Sequence, residues 1–438
     1  MARVKKKTFY IETYGCQMNE YDSELMAGIL TRSGYQPSES LDRAEVILVN
    51  TCSVREHAER RVFGRLGELR RFKLKDPRLV LGLCGCMAQR LGQKIHQKTP
   101  WVDLVVGPDA YRHLPTLLAH LNAHPLTDLA LSGEETYSNV IPTRIRGVKA
   151  WVAVMRGCDN FCSYCVVPYV RGRARSRPVD EIMAEISELA SQNCKEVTLL
   201  GQNVNAYQDG NIGFAGLLRR IDRVDGLYRI RFTTSHPKDM GDEIIDAVAE
   251  GDRICEHLHL PLQSGSTRIL RAMNRRYTAD EYLGLISKIR KIIPAVSVTT
   301  DLIVGFPGES DDDFEATVEM VEAIGFDSAF TFKYSPRPGT EAADLADDVP
   351  EAVKSQRLER IIALQRAITH QKNRGLIGQV VEVLVEGESK KGNGQLTGRT
   401  RTNKTVVFDS QQAKVGSLIS TKIVDARGWT LWGEVVGS

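Results

Sequence analysis

Short runs rich in β-branched and apolar residues alternate with stretches of helical periodicity along most of this chain. Over residues 1–140 the runs Thr8–Tyr14, Val46–Asn50, Leu79–Leu83 and Val102–Val106 read as strands. Amphipathic patterns follow, among them Tyr21–Thr31 and Glu56–Phe72, with Gly34 a natural stop for the first. Strand-then-helix alternation predicts a doubly wound parallel sheet. The polar stretch Leu131–Arg146, with Ser132, Gly133 and Pro142, reads as a linker. Over 144–374 the units lengthen. Strands are expected at Trp151–Met155, Glu196–Leu200, Tyr228–Thr234, His257–Leu262, Val296–Gly305 and Ser328–Lys333. Helices fit Val179–Gln192, Asp242–Ala249, Asp280–Ile292, Asp312–Ile324 and Glu351–Asn373. Six such units are too few for a closed eight-stranded barrel and predict a partial (β/α)6 barrel. Residues 375–438 change to short strands, Gln379–Val385, Val406–Phe408, Leu418–Asp425 and Trp429–Val436, between Gly-rich turns. That pattern predicts a small all-β barrel. The chain is read as an α/β protein of three domains, 1–140, 144–374 and 375–438.

The length of 438 residues agrees, because one hydrophobic core does not grow so large. Hydrophobic residues at 42% and charged residues at 26% describe a folded chain, and 58 Lys+Arg against 55 Asp+Glu leave only +3. A globally basic nucleic-acid binder is excluded, so any cationic surface is local. One such stretch holds Lys390, Lys391, Arg399, Arg401 and Lys404 with no acid among them. It is either a solvated loop or the tip of a nucleic-acid-binding barrel. No apolar run approaches the ~20 residues that span a bilayer, and the basic start Met1–Lys7 lacks the apolar core of an export signal. A cytoplasmic protein with no membrane partner is expected, and a monomer, since no exposed apolar stripe stands out.

The nine cysteines are unevenly placed. Cys158, Cys162 and Cys165 form C-x3-C-x2-C just after the first strand of the second domain. No fourth Cys or His lies nearby to complete a zinc site. A four-iron cluster held by three cysteines leaves one iron open to a small molecule. This spacing on a loop opening a βα barrel resembles the radical S-adenosylmethionine (SAM) enzymes. The resemblance implies a SAM molecule chelated to the open iron and cleaved on one-electron reduction to a 5′-deoxyadenosyl radical. It also places polar groups around SAM at Gly201, Gln202 and Asn203, after the second strand, and at Asp301 and Gly305, on the fifth. Ser235, His236 and Gln263 sit at strand carboxyl ends, the face where barrels build sites. Each is a cofactor or substrate contact, or a cap or turn residue.

Cys16, Cys52 and Cys86 each follow a predicted strand and precede a helix. In a doubly wound sheet neighbouring carboxyl ends meet at one crevice, so the three can converge. Gly15 and Gly85 permit the tight turns required. Cys84 is the alternative to Cys86, although its place near the strand end turns it away. Cys194 and Cys255 read as small buried hydrophobes.

With this second trio and a C-terminal TRAM-like barrel, the chain is similar over nearly its whole length to the methylthiotransferases. Gly15-Cys16-Gln17-Met18-Asn19, Asn50-Thr51-Cys52-Ser53-Val54-Arg55 and Leu260-Pro261-Leu262-Gln263-Ser264-Gly265-Ser266 resemble the isopentenyladenosine branch, the MiaB proteins. So does Phe161–Gly172 around the central trio. The resemblance implies two 4Fe–4S clusters, Cys158, Cys162 and Cys165 initiating the radical and Cys16, Cys52 and Cys86 holding the sulfur donor. One SAM would methylate that sulfur, and a second would yield the radical that takes hydrogen from C2 of a tRNA adenosine-37 carrying an isopentenyl group. It further implies the anticodon stem-loop as partner, a reducing electron donor such as flavodoxin or ferredoxin, and iron–sulfur assembly or carrier proteins.

Arg171, Arg173, Arg175 and Arg177 alternate with no acid among them. If extended, they present four cations on one edge to phosphates or to the SAM carboxylate; otherwise they pair with acids elsewhere in the barrel. Other branches act on threonylcarbamoyl-adenosine-37 or on a ribosomal-protein aspartate. The Gln-Ser-Gly-Ser run and the basic tip argue against the protein-modifying branch. A simple iron–sulfur electron carrier would complete each cluster with four cysteines and needs no third domain.

Overall fold

The computed structural model describes residues 7–53, 56–121, 124–144, 147–389, 394–410 and 412–436. The N-terminal sheet comprises β1 (Thr8–Tyr14), β2 (Gln36–Pro37), β3 (Val46–Thr51), β4 (Val80–Gly85), β5 (Leu104–Val106) and β6 (Leu126–Asp128). The strands are parallel throughout, in the order β2-β1-β3-β4-β5-β6. Alternation along β3 explains the doubly wound form. Val46 and Leu48 pack with helix α1 (Gln17–Arg32), whereas Ile47 and Val49 pack with helix α2 (Glu56–Lys75). A strand buried on both faces reads as one unbroken apolar run, as Val46–Val49 does. Strand order reverses between β1 and β3, which makes their carboxyl ends the crevice of the sheet.

The segment expected to be a polar linker is instead packed. Tyr137 is buried, stacks on Tyr111 at 5.7 Å, and donates its hydroxyl to the Pro108 carbonyl at 2.7 Å. Gly28 on α1 leaves room for the Ile141 carbonyl, which a Cβ would approach to 2.2 Å. The polar residues of this segment hid two anchors that fasten it to the first domain.

Six parallel strands follow in two three-stranded sheets: Lys149–Ala153, Glu196–Leu200 and Arg229–Thr233, then His257–His259, Ser297–Val304 and Ser328–Lys333. A bridge between Ile230 and Ile254 joins them at the seam. The result is the expected open arc. Helix Phe214–Ile221, which the pattern reading passed over, covers it with buried Phe214, Leu217, Leu218 and Ile221.

The C-terminal strands Val380–Glu388, Leu396–Thr400, Thr405–Asp409, Thr430–Val435 and Leu418–Arg427 close into a barrel. Leu396–Thr400 corrects the reading of this stretch as a loop. Lys390 and Lys391 lie outside the described residues. Arg401 and Lys404 are turned toward the core rather than presented on a free tip. Arg401 grips both Glu256 oxygens, at 2.6 and 2.9 Å, and the Ile254 carbonyl at 2.7 Å. Lys404 donates to Asp327 and Asn373, each at 3.0 Å. Arg231 returns the contact on the carbonyls of Thr400 and Arg401, both at 2.7 Å.

Burial pushes the Asp327 carboxyl up, but Lys404 and Lys372 prevail and hold it below its ordinary value. A depressed folded pKa means the contribution is complete above about pH 4 and lost as the pH falls further. Asp327→Ala should weaken docking of the barrel by about 2 kcal/mol. Limited proteolysis would detect this as faster cleavage near Gly375–Gly378, and an unchanged rate would contradict the assignment.

Candidate functional site

The first trio assembles because three strand ends are stitched together. Cys16 caps α1, and Asn19 accepts from both its backbone N–H and its thiol at 3.3 Å. Asn19 donates onward to Asn50 at 3.3 Å and to the Thr51 carbonyl at 3.2 Å. Asn50 in turn donates to the Asn19 carbonyl at 2.8 Å, which binds the first turn of α1 to the end of β3. Only glycine fits at position 15, where a Cβ would stand 2.3 Å from Asn19 Oδ1 and 2.8 Å from Cys52 Cβ. Gly85, at φ +91°, turns β4 into helix α3 (Cys86–Leu91), so Cys86 opens that helix beside the other two. Cys84 faces the opposite way, into the apolar cluster of Leu104, Val106 and Tyr111, where burial pushes its thiol up.

A hydrogen bond with Cys52 brings the Cys16 thiol down to about 6; burial opposes this and the charge of Arg171 assists. Burial raises the Cys86 thiol, with Arg171 pulling against it. The Arg171 guanidinium donates to Cys86 Sγ at 3.1 Å and to Asp22 at 2.7 Å.

The second trio occupies the loop after Met155–Arg156. Gly157 has φ +77°, donates to Gln202 Oε1 at 2.6 Å, and leaves no space for a Cβ, which would meet the Arg173 carbonyl at 1.9 Å. The loop is pinned from the fourth strand's connection: Ser163 donates to the Ala272 carbonyl at 2.8 Å and Asn274 to the Phe161 carbonyl at 2.8 Å. Arg275 donates to Cys162 Sγ at 3.4 Å. Burial raises the Cys158 thiol and pushes Cys165 up to about 12, each reinforced by the charge of Cys162. Each trio therefore carries one buried guanidinium on a sulfur. Among the described residues no three His, Cys, Asp or Glu close around a single-ion position. A four-iron cube takes one thiolate at each of three corners and spaces its ligands more widely.

Around the barrel mouth the expected residues divide. Ser235 Oγ, His236 Nε2 and Gln263 Oε1 are buried without a partner among the described residues. Burial, aided by Arg275, brings His236 down to about 2, and its Nδ1 accepts from Lys238 N, so Nε2 carries the proton and is a buried donor. Asn203 is already engaged, accepting from His236 N at 3.1 Å and donating to Asp239 at 2.7 Å. Gly201 packs against Met155, whose Cγ a Cβ would approach to 2.7 Å. Asp301 stands 3.5 Å from His259 Nε2. The open side of Gly305 is filled by the Lys354 stem, which a Cβ would meet at 2.3 Å.

The arginine series does not form one edge. Arg171 ends a helical turn, Arg175 is paired with Asp109 at 2.8 Å, and Arg177 with Glu185 at 2.7 Å, all three buried. Arg173 alone is exposed, over the Phe161 ring and 3.2 Å from Asp159. Arg399 lies on a barrel strand, 3.0 Å from Asn403 Oδ1. Pattern reading missed Asp22, Arg156 and Arg275, since a lone charged residue carries no local sign of a distant partner.

Residues 152–321 match the radical SAM superfamily, 374–436 the TRAM domain, and 8–107 a family described as uncharacterized protein family UPF0004. Solved radical SAM proteins share the fold. TsrM from Kitasatospora setae, a methyltransferase, aligns with TM-score 0.57 at 13% identity, over 77% of this chain and 75% of its own. The cobalamin-dependent enzyme OxsB aligns with TM-score 0.53 at 10% identity, over 82% and 56%. The arc and its cysteine loop thus define a radical SAM enzyme, a class that implies SAM and a 4Fe–4S cluster. The residues fit these groups: converging thiols backed by a guanidinium, and buried polar atoms awaiting a polar ligand. A protein of Moorella thermoacetica named tRNA-2-methylthio-N(6)-dimethylallyladenosine synthase is 48% identical, over 98% of this chain and 99% of its own. One of the same name from Bacillus mycoides is 48% identical over 98% and 86%. The chain belongs to the family of tRNA-2-methylthio-N(6)-dimethylallyladenosine synthases, and it is a methylthio-group transferase.

In the metal-free full-length chain at pH 7, iodoacetamide should modify Cys16 more than ~10-fold faster than Cys84 or Cys165. Its rate should rise through about pH 6, as mapped by mass spectrometry. Equal labelling of the three would break the arrangement described.

Proposed function

We propose that this enzyme installs a methylthio group at C2 of N6-isopentenyl(dimethylallyl)adenosine-37 of tRNA, with a 4Fe–4S cluster on each cysteine trio. The observation that carries this reading is the near-full-length likeness to synthases of that name, joined to the convergence of Cys16, Cys52 and Cys86 at a sheet crevice. No side chain can remove a C2 hydrogen as a proton at neutral pH; the bound clusters and SAM supply the one-electron chemistry and the sulfur.

The chain's own work is positioning. Gly157 and Gln202 hold the second loop against the barrel, and Arg275 compensates thiolate charge at Cys162. Ser235, Gln263 and the His236 Nε2 proton are the polar groups assigned to SAM, with Gly201, Asn203, Asp301 and Gly305 shaping the pocket around them. A nucleobase in the anticodon loop can be splayed outward into such a mouth. Of the cations assigned to RNA phosphates, Arg173 and Arg399 keep exposed surface, and Lys390 and Lys391, outside the described residues, are assigned the same role. The reading places the enzyme in the cytoplasm as a monomer. Its partners are the anticodon stem-loop, a reductant such as flavodoxin or ferredoxin, and iron–sulfur carrier proteins. Among the described residues no helix is long and apolar enough to cross a membrane.

Deletion of the gene should abolish 2-methylthio-N6-isopentenyladenosine in tRNA and accumulate N6-isopentenyladenosine, as read by nucleoside mass spectrometry. Accumulation of a different precursor would reassign the substrate. Anaerobic reconstitution should give about eight irons per chain, and alanine at all three cysteines of either trio should leave about four.

A further inference from the structure

Two buried arginines from the second domain meet one buried carboxylate of the first. Arg156 Nη2 stands 2.9 Å from Asp22 Oδ1, and Arg171 Nη2 lies 2.7 Å from Asp22 Oδ2. Asp22 is wholly enclosed, Arg156 is 1% exposed and Arg171 3%. Nearby, Arg175 and Asp109 neutralise each other. The group around Asp22 therefore keeps one surplus positive charge, and Arg171 delivers it to the first trio through Nε on Cys86 Sγ at 3.1 Å. The Nη1 atoms of both Arg156 and Arg171 are buried and lack a hydrogen-bond partner among the described residues. A single carboxylate needs only one cation, and enclosing a second has a cost that the Asp22 pair does not explain. Anionic charge beside Arg171 explains it.

We propose that Arg171 sets the reduction potential of the iron–sulfur centre on Cys16, Cys52 and Cys86, and that Asp22 limits how much of that charge the centre feels. The inference rests on the reading that this trio holds a cluster. Reduction adds one electron, and so one negative charge, to the centre. A guanidinium on a ligating sulfur stabilises that form and raises the potential, while a neighbouring carboxylate lowers it. At Arg171 positive charge and a hydrogen bond to sulfur act in the same direction, and the negative charge of Asp22 acts against them.

The test uses the full-length chain with Cys158, Cys162 and Cys165 changed to alanine, so that only the first centre titrates. Dithionite supplies the electron, and the reduced centre is followed by electron paramagnetic resonance across a potential series. Arg171→Gln should shift the midpoint to lower potential, Arg171→Lys should retain most of the parent value, and Asp22→Asn should shift it upward. An unmoved or raised midpoint in Arg171→Gln, or a lowered one in Asp22→Asn, overturns the proposal. If Arg171→Gln does not fold, the directions for Arg171→Lys and Asp22→Asn decide. Iron analysis of the parent separates the two levels. About four irons with an unmoved midpoint sink this inference alone, whereas absent iron sinks the cluster assignment with it.

Discussion

The whole arrangement turns on a carboxylate of the first domain that has no water to dissolve it. Asp22 lies on α1, six residues beyond Cys16, and its two cations come from either side of the loop bearing Cys158, Cys162 and Cys165. Removing Asp22, or separating the domains, would strand buried charge at a cost of several kcal/mol. The crevice of the sheet and the mouth of the arc are therefore fixed in one relation. The glycines at 15, 85 and 157 serve the same end, each admitting a close approach that a Cβ would block.

Much of this was legible in the residues. Parallel strands buried on both faces announce themselves as continuous apolar runs, and Val46–Val49 does so without ambiguity. The convergence of Cys16, Cys52 and Cys86 followed from position relative to strand ends, because a doubly wound sheet has one crevice, and the central trio from its C-x3-C-x2-C spacing. The Cys84 thiol was turned away by the alternation of side chains along β4, which a period of two makes predictable.

What escaped the sequence was long-range pairing. Arg171 and Arg175 look like part of an exposed cationic edge because their acids lie far away: Asp22 and Asp109 are in another domain. Arg401 and Lys404 misled in the same way, their partners Glu256 and Asp327 belonging to the core. The strand Leu396–Thr400 was hidden by Gly398, present because a Cβ there would meet the Leu384 carbonyl at 2.2 Å. Likewise Tyr137 anchors a segment whose average polarity suggested a tether. Charge and turn residues report local solvent preference, and tertiary contacts overrule them.

The inward-facing cations of the small barrel bear on how a long polymer could be recognised. Clamped through Glu256 and Asp327, the barrel cannot swing like a module on a string. Whatever it grips is held at a set span from the mouth of the arc. If the barrel holds RNA as proposed, it works as a caliper, selecting the nucleotide that reaches the right place as much as the letters around it.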